Sequence, residues 1–289
     1  MNDENAATST LNDLMQRSGL PPLEARMLMQ YATGWSRVAL ISRGLDGLSV
    51  AQMQLFSDVL ERRLKGEPMA YIMGVREFYG RDFNVNSDVL IPRPDTETLI
   101  EWVLHECHLS EGQPLEVLDL GTGSGAIAVT LACERPEWRV SAVDVSVGAL
   151  RVAAENALAL GAEVSFFESD WLTAFEGFSP SPKFDLIVSN PPYVATGDEH
   201  LSQGDVRFEP LGALTDGADG LTNYAFLVQT VPKYLKDGGQ LWFEHGYDQG
   251  HAVRHMLTQA GFAAVKTIKD LSGNERVSGG CKATASSFL

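Results

Sequence analysis

Apolar residues of this chain fall into two regimes. Up to about residue 73 they recur at helical spacing. Leu11, Leu14, Met15 and Leu20 make a short stripe. Pro21 and Pro22 stand where a helix can begin, and Leu23, Ala25, Met27, Leu28 and Met29 carry a dense apolar helix to about Thr33. Met53, Leu55, Phe56, Val59, Leu60 and Leu64 predict another from about Ser49 to Lys65. Short helices bury such stripes only against one another or a partner. Residues 1–73 are therefore expected to form a small helical domain.

From Gly74 the period changes. Phe78, Tyr79, Phe83, Val85 and Val89, with Gly80 and Asn86-Ser87-Asp88 as turn signals, predict a hairpin or linker arm over 74–95. Ile91-Pro92-Arg93-Pro94-Asp95 is stiff, because each proline fixes its own φ and extends the residue before it. Asp95 or Thr96 is placed to cap a helix running to about His108.

The rest, 96–289, reads as α/β from Leu115 onward. Strand-like runs at 115–120, 139–143, 163–167, 184–189, 239–243, 263–268 and 276–282 alternate with helical stretches at 125–134, 148–159, 223–235 and 250–261. That alternation predicts a mostly parallel sheet covered on both faces. Only the turn-like stretch from Lys269 to Glu275 separates the last two runs, so the final strand is expected to return antiparallel. The polar, glycine-rich segment from Val194 to Gly220 is long for a connection inside an α/β unit, a property of functional loops.

Composition narrows the picture. Hydrophobic residues are 44% and charged residues 21% of 289, enough for a sizeable core. The net charge of −16 argues against direct binding to a nucleic-acid backbone. The three cysteines, Cys107, Cys133 and Cys281, are too scattered for a disulfide framework or a thiolate metal site. A polar, acidic start and the lack of a long apolar run give neither a secretory signal nor a membrane span, so a cytoplasmic protein is expected.

Two motifs carry chemistry. Asp119-Leu120-Gly121-Thr122-Gly123-Ser124-Gly125 closes a buried strand and opens a helix. Its glycines permit a tight turn and close approach of the backbone to a ligand, and the helix start offers unpaired N–H groups. Asp144 ends the next strand, where its carboxylate can take ribose hydroxyls. Gly121, Gly123 and Ala126 also fit a dinucleotide pattern. Asp119, just before the first glycine, suits an ammonium better than a pyrophosphate, and S-adenosylmethionine carries an ammonium and a sulfonium.

The second motif is Asn190-Pro191-Pro192-Tyr193, at the end of the strand 184–189. Ligands of open α/β sheets bind at the carboxyl ends of strands. The prolines hold an extended corner, the backbone and Asn190 offer oxygens, and Tyr193 offers a flat face. This set suits a planar NH2 group whose nitrogen is a poor nucleophile. Acceptors on its hydrogens favour charge building on nitrogen and aim its lone pair, an effect of several kcal/mol in sites of this type, on the order of 3–4 kcal/mol per well-placed group. His251 and His255 lack the glutamate of a zincin helix, Ser124 lacks the glycine of a nucleophile elbow, and no metal site is expected.

With these motifs in place, the sequence resembles the bacterial release-factor glutamine N5-methyltransferase family over nearly its whole length. Gly66-Glu67-Pro68-Met69-Ala70-Tyr71-Ile72 with Gly74 and Glu77-Phe78, and Val89-Leu90-Ile91-Pro92-Arg93-Pro94-Asp95-Thr96-Glu97, look like the family's upstream signatures. The Asn-Pro-Pro-Tyr corner alone is shared with adenine-N6 and other amide or amino-nitrogen methyltransferases. The resemblance implies a seven-stranded class I S-adenosylmethionine-dependent methyltransferase sheet with a small N-terminal helical domain. It implies methyl transfer from S-adenosyl-L-methionine to the side-chain amide nitrogen of the glutamine in the Gly-Gly-Gln motif of peptide chain release factors.

Residue by residue, it implies that Gly121, Thr122, Gly123, Ser124 and Gly125 line the methionine and ribose part of the cofactor. Asp144 would bind the ribose, and Asp170 and Trp171 would flank the adenine, with Trp171 stacking on it. Arg93 and the proline-rich arm would help close the pocket. Asn190, Pro191, Pro192 and Tyr193 would hold the glutamine, and the 1–73 domain would grip the release factor. Phe208-Glu209-Pro210 and Asp219-Gly220-Leu221 match segments around the substrate channel. Ser278-Gly279-Gly280-Cys281 departs from the pattern, with small residues where bulkier ones are expected. An adenine-N6 methyltransferase acting on nucleic acid and a non-enzymatic cofactor sensor are the competing readings.

Overall fold

In a computed structural model of the chain, residues 10–106 and 114–283 are described. Cys107, His108 and the ends of the chain beyond these ranges lie outside them. Two compact units divide at Gly74.

The first unit holds α1 (Leu11–Arg17), α2 (Pro22–Thr33), α3 (Arg37–Ser42), α4 (Val50–Leu64) and α5 (Met69–Met73). Thr10 and Ser49 start α1 and α4 with capping boxes to Asp13 and Gln52, which satisfy N–H groups that a helix start leaves unpaired. Gly34 and Gly74 end α2 and α5 in the left-handed conformation, where a side chain would be strained. Leu11, Leu28, Met29, Phe56, Val59 and Ile72 form the core. The apolar stripe expected on α4 is wider than its buried face. Only Phe56 and Val59 are buried, while Leu64 is 60% exposed, because apolar positions spread over more of the helix than one neighbour can cover.

The second unit begins with a hairpin of β1 (Val75–Phe78) and β2 (Arg81–Asn84). Tyr79 and Gly80 both have positive φ, the geometry that matches a two-residue turn to strand twist. Of the hairpin or linker arm expected over 74–95, the hairpin is what forms, and it packs into this unit. Phe78 and Phe83, edge to face at 5.8 Å, are buried in the main core of this unit.

After a 3-10 turn at Pro94–Thr96 come α6 (Glu97–Glu106), β3 (Glu116–Leu120), α7 (Ala126–Glu134), β4 (Arg139–Asp144), α8 (Val147–Leu160), β5 (Val164–Glu168) and β6 (Phe184–Ser189). The chain continues through α9 (Leu211–Leu214), α10 (Thr222–Thr230), β7 (Leu235–Glu244), α11 (Gly250–Gln259), β8 (Phe262–Lys269) and β9 (Glu275–Lys282). The seven-stranded sheet has the order β5-β4-β3-β6-β7-β9-β8 and is parallel except at β9.

Strand alternation divides the core into two layers. Val117, Leu186, Val188 and Trp242 face one side with α7, while Leu118, Ile187, Leu241 and Phe243 face the other with Leu227 and Val253. The helix expected at 223–235 ends at Thr230. Pro232 follows in a 3-10 turn, and Leu235 already pairs with Phe184 in the sheet. The small residues of β9 have a packing reason. A Cβ on Gly279 would lie 2.2 Å from the Leu241 carbonyl and 2.3 Å from the Trp242 ring, so bulk at this position is supplied from the neighbouring strand.

Candidate active site

Three parallel strands deliver the glycine turn, Asp144 and the proline corner to one edge of the sheet, because β4, β3 and β6 are hydrogen-bonded neighbours that end together. Gly121, Gly123 and Gly125 all have left-handed φ, so the turn admits no Cβ without strain. The N–H groups of Gly121 and Thr122 both donate to the Val143 carbonyl at 2.9 Å, which ties the turn to β4. Asp144 accepts from Gly123 N with Oδ2 and from Ser146 N with Oδ1, each at 2.9 Å. Burial pushes its carboxyl up, against the pull of these donors.

A cavity of about 260 Å³ opens here, walled by Gly121, Gly123, Asp144, Asp170, Trp171 and Asn190 among others. Trp171 adopts φ 51°, an uncommon conformation for a bulky residue, with its ring edge 3.7 Å from where a Gly121 Cβ would be. Ser169 holds it so: its N–H donates to the Asp144 carbonyl at 2.9 Å and its hydroxyl to the Trp171 carbonyl at 2.9 Å.

Asn190 and Pro192 form part of the same wall. Ser189 donates its hydroxyl to the Leu120 carbonyl at 2.7 Å, locking the base of the corner to β3. Asn223 Nδ2 donates to the Pro192 carbonyl at 2.9 Å and Gln249 Nε2 to the Tyr193 carbonyl at 3.0 Å, so the corner is held from behind by two amides. Asn190 Nδ2 points at Thr96 Oγ1 at 3.4 Å.

A second cavity, of about 180 Å³, has Asn190 in its wall as well, together with Arg93, Tyr193, Leu201, Val206 and Leu214. Burial pushes the Tyr193 phenol well up, so the ring is neutral. Arg93 pairs with the buried carboxylate of Glu209, whose other oxygen accepts from Ile91 N at 3.1 Å. The proline-rich arm is thereby fastened to the long 194–220 loop.

Comparison with known proteins decides what this arrangement is. A family model described as the methyltransferase small domain matches residues 97–206, and one described as the PrmC N-terminal domain matches residues 5–74. The release factor glutamine methyltransferase of Neisseria gonorrhoeae is 51% identical over 93% of this chain and 96% of its own length. The one from Bordetella pertussis is 49% identical over 93% and 98%. This chain belongs to the release factor glutamine methyltransferases.

Two solved structures share its fold. A methyltransferase from Pyrococcus furiosus has a TM-score of 0.52 and 18% identity, over 78% of this chain and 99% of that one. A SAM-dependent methyltransferase from Agrobacterium tumefaciens has a TM-score of 0.51 and 16% identity, over 72% and 69%. The sheet is thus the class I methyltransferase sheet, carried with an N-terminal helical unit. No helix among the described residues is long and apolar enough to cross a membrane.

Within this methyltransferase the expected residues separate into groups. Gly121, Gly123, Asp144, Asp170, Trp171 and Asn190 meet around the larger cavity. Thr122, Ser124, Gly125 and Pro191 do not wall it. Thr122 and Ser124 are buried under the turn, and a Cβ on Gly125 would press on Val129 and Ala153 at 3.0 and 3.1 Å, which makes it a helix-packing glycine. Arg93 and Tyr193 wall the smaller cavity and not the larger, and the Arg93 guanidinium is paired with Glu209, while Val89 and Leu90 of the same arm wall the larger.

Asp119 also stands beneath the turn rather than in the wall. Its Oδ2 accepts from Thr122 Oγ1 at 2.7 Å and Ala128 N at 3.3 Å, its Oδ1 has no partner, and burial lifts the carboxyl to about 7. Ser146 and Ala149 at the start of α8, Gly212 and Ala213 of α9, and Asp88 are cavity residues that sequence reasoning missed.

Proposed function

We propose that this protein transfers a methyl group from S-adenosyl-L-methionine to the side-chain amide nitrogen of the glutamine in the Gly-Gly-Gln motif of peptide chain release factors. One observation carries the reading. Asn190 stands in the wall of both cavities, so a group held in the smaller one and a group held in the larger one meet at this residue.

The residues of the larger cavity fit the cofactor. Asp144 keeps lone pairs for ribose hydroxyls beyond the two backbone donors it already accepts. The Trp171 face and Asp170 suit the adenine. When bound, the cofactor supplies an electrophilic methyl on a sulfonium.

The chain's own work is to orient and to accept. Asn190 and the backbone of the proline corner take the hydrogens of the substrate amide, stabilise positive charge as it grows on nitrogen, and aim the lone pair. No strong base is needed beforehand, since the proton can pass to water afterwards. The helical unit, with Val38, Ile41, Leu45 and Val50 exposed, is the surface we assign to gripping the release factor.

The test is mass spectrometry of a purified release factor incubated with the protein and S-adenosylmethionine. One added methyl on the motif glutamine is expected. An unmodified glutamine, or label incorporated into DNA or RNA controls instead, would overturn the reading.

A further inference from the structure

Glu244 ends β7 with a carboxyl that is 1% exposed, and neither of its oxygens has a partner in hydrogen-bond geometry. A buried carboxyl in this condition is costly to folding, so its surroundings bear on what it is for. Its backbone is fixed, because the Tyr224 hydroxyl donates to the Glu244 carbonyl at 2.9 Å.

The titratable and charged groups that face it are Asp95 from the arm, Tyr193 from the corner, Tyr224 from α10 and Arg276 from β9. Arg276 is engaged elsewhere. Its donors go to Asp270, Asp95 and the His245 carbonyl, all at 3.2 Å. Ser189 pairs with Phe243 in the parallel ladder of β6 and β7, so the residues that follow, Asn190 and Glu244, come side by side where the two strands end. The polar hydrogens nearest the unpartnered carboxyl are then those of the Asn190 amide and of the Thr96 hydroxyl, and both pull its pKa down against the larger opposing effect of burial. These two side chains are linked to each other through Asn190 Nδ2 and Thr96 Oγ1.

An asparagine amide can be seated in two ways that differ by a half-turn. Only one presents oxygen to a substrate NH2; the other presents a donor to a donor. An ionised carboxylate can only accept, so it distinguishes the two seatings. We propose that Glu244 is a positioning residue for methyl transfer, accepting from Asn190 Nδ2 and from the Thr96 hydroxyl so that Asn190 Oδ1 faces the cavities. The inference rests on the proposed reaction at a glutamine amide, in which Asn190 Oδ1 is the acceptor.

Two measurements test it. The first is the side-chain 15N–1H signal of Asn190 in the chain without cofactor or substrate, assigned by its loss in Asn190→Ala and followed from pH 5.5 to 8.5. The signal is expected to titrate with Glu244, and that inflection is expected to vanish in Glu244→Gln. Identical titration in the two proteins would overturn the inference. This arm stands whether or not a release factor is the substrate.

The second is steady-state kinetics, with wild-type transfer to a release factor as the reference. Absence of that reference transfer would count against the proposed reaction itself. Glu244→Ala is expected to lower kcat at least tenfold, with the dissociation constant for S-adenosylmethionine within about twofold of wild type. Glu244→Gln, which keeps one accepting oxygen, is expected to recover most of that loss. An alanine variant with kcat within twofold of wild type, or one whose cofactor affinity falls along with kcat, would overturn it.

Discussion

Asn84 and Asn156 exchange hydrogen bonds across the second unit: Asn84 N donates to Asn156 Oδ1 at 2.7 Å, and Asn156 Nδ2 donates back to the Asn84 carbonyl at 3.0 Å. The same Nδ2 donates to the Ser124 carbonyl at 2.9 Å, so one fully buried amide joins the hairpin, α8 and the glycine turn. Asn156→Ala takes the partner from two backbone groups of Asn84 and from the buried Ser124 carbonyl, and is expected to cost on the order of 2 kcal/mol. Urea unfolding with intrinsic fluorescence measures it, and a loss below about 1 kcal/mol would contradict the account.

For Asn190→Ala the expected result is a fall in turnover of about 100-fold or more with cofactor affinity retained, since the removed oxygen acts on the substrate amide. Near-normal turnover would remove Asn190 from the chemistry.

Asp144→Ala should act on the other half of the site. Charge-assisted hydrogen bonds to ribose are worth about 1.5–3 kcal/mol, so cofactor affinity is expected to drop about tenfold to 100-fold in calorimetry. An unchanged dissociation constant would show that the ribose is held elsewhere.

The buried carboxyl of Asp119 ties stability to pH. Its pKa is raised from 3.8 to about 7 in the folded chain, with burial as the largest cause. The folded state therefore keeps its proton where the unfolded state has lost it. The stabilisation this gives is complete below about pH 4 and is lost as pH rises through 7, an effect on the order of 4 kcal/mol. In Asp119→Asn this contribution is absent. The stability difference between wild type and variant is thus expected to move in the variant's favour from pH 5 to pH 8 in denaturant titrations. Parallel pH profiles would contradict this.

Gly279→Ala is expected to destabilise by about 2 kcal/mol or more, because the added methyl meets both the Leu241 carbonyl and the Trp242 ring within 2.3 Å. Thermal unfolding monitored at the tryptophans reads this directly.

Much of the fold was legible because its strands are short apolar runs between polar turns. The run at 184–189 matches β6 residue for residue. β7 begins earlier than its hydrophobic pattern does. Lys236 to Gly239 looks like a turn, yet Leu235 pairs with Phe184 and Gln240 with Leu186 across a bulge. Residues doing backbone work at the site announce themselves, since glycines at positive φ and paired prolines are chemically distinctive. Asn223 and Gln249 do not. Their roles come from partners, Pro192 and Tyr193, that only the folded chain brings near, so no local spacing marks them.

The fastening of Arg93 to Glu209 has a consequence for solution conditions. The Glu209 side chain is fully buried, so dissolved ions screen this contact far less than a pair on the surface. Sodium chloride should leave the arm joined to its loop. Mild acid, which neutralises a carboxyl whose pKa burial has already raised, is what would loosen it.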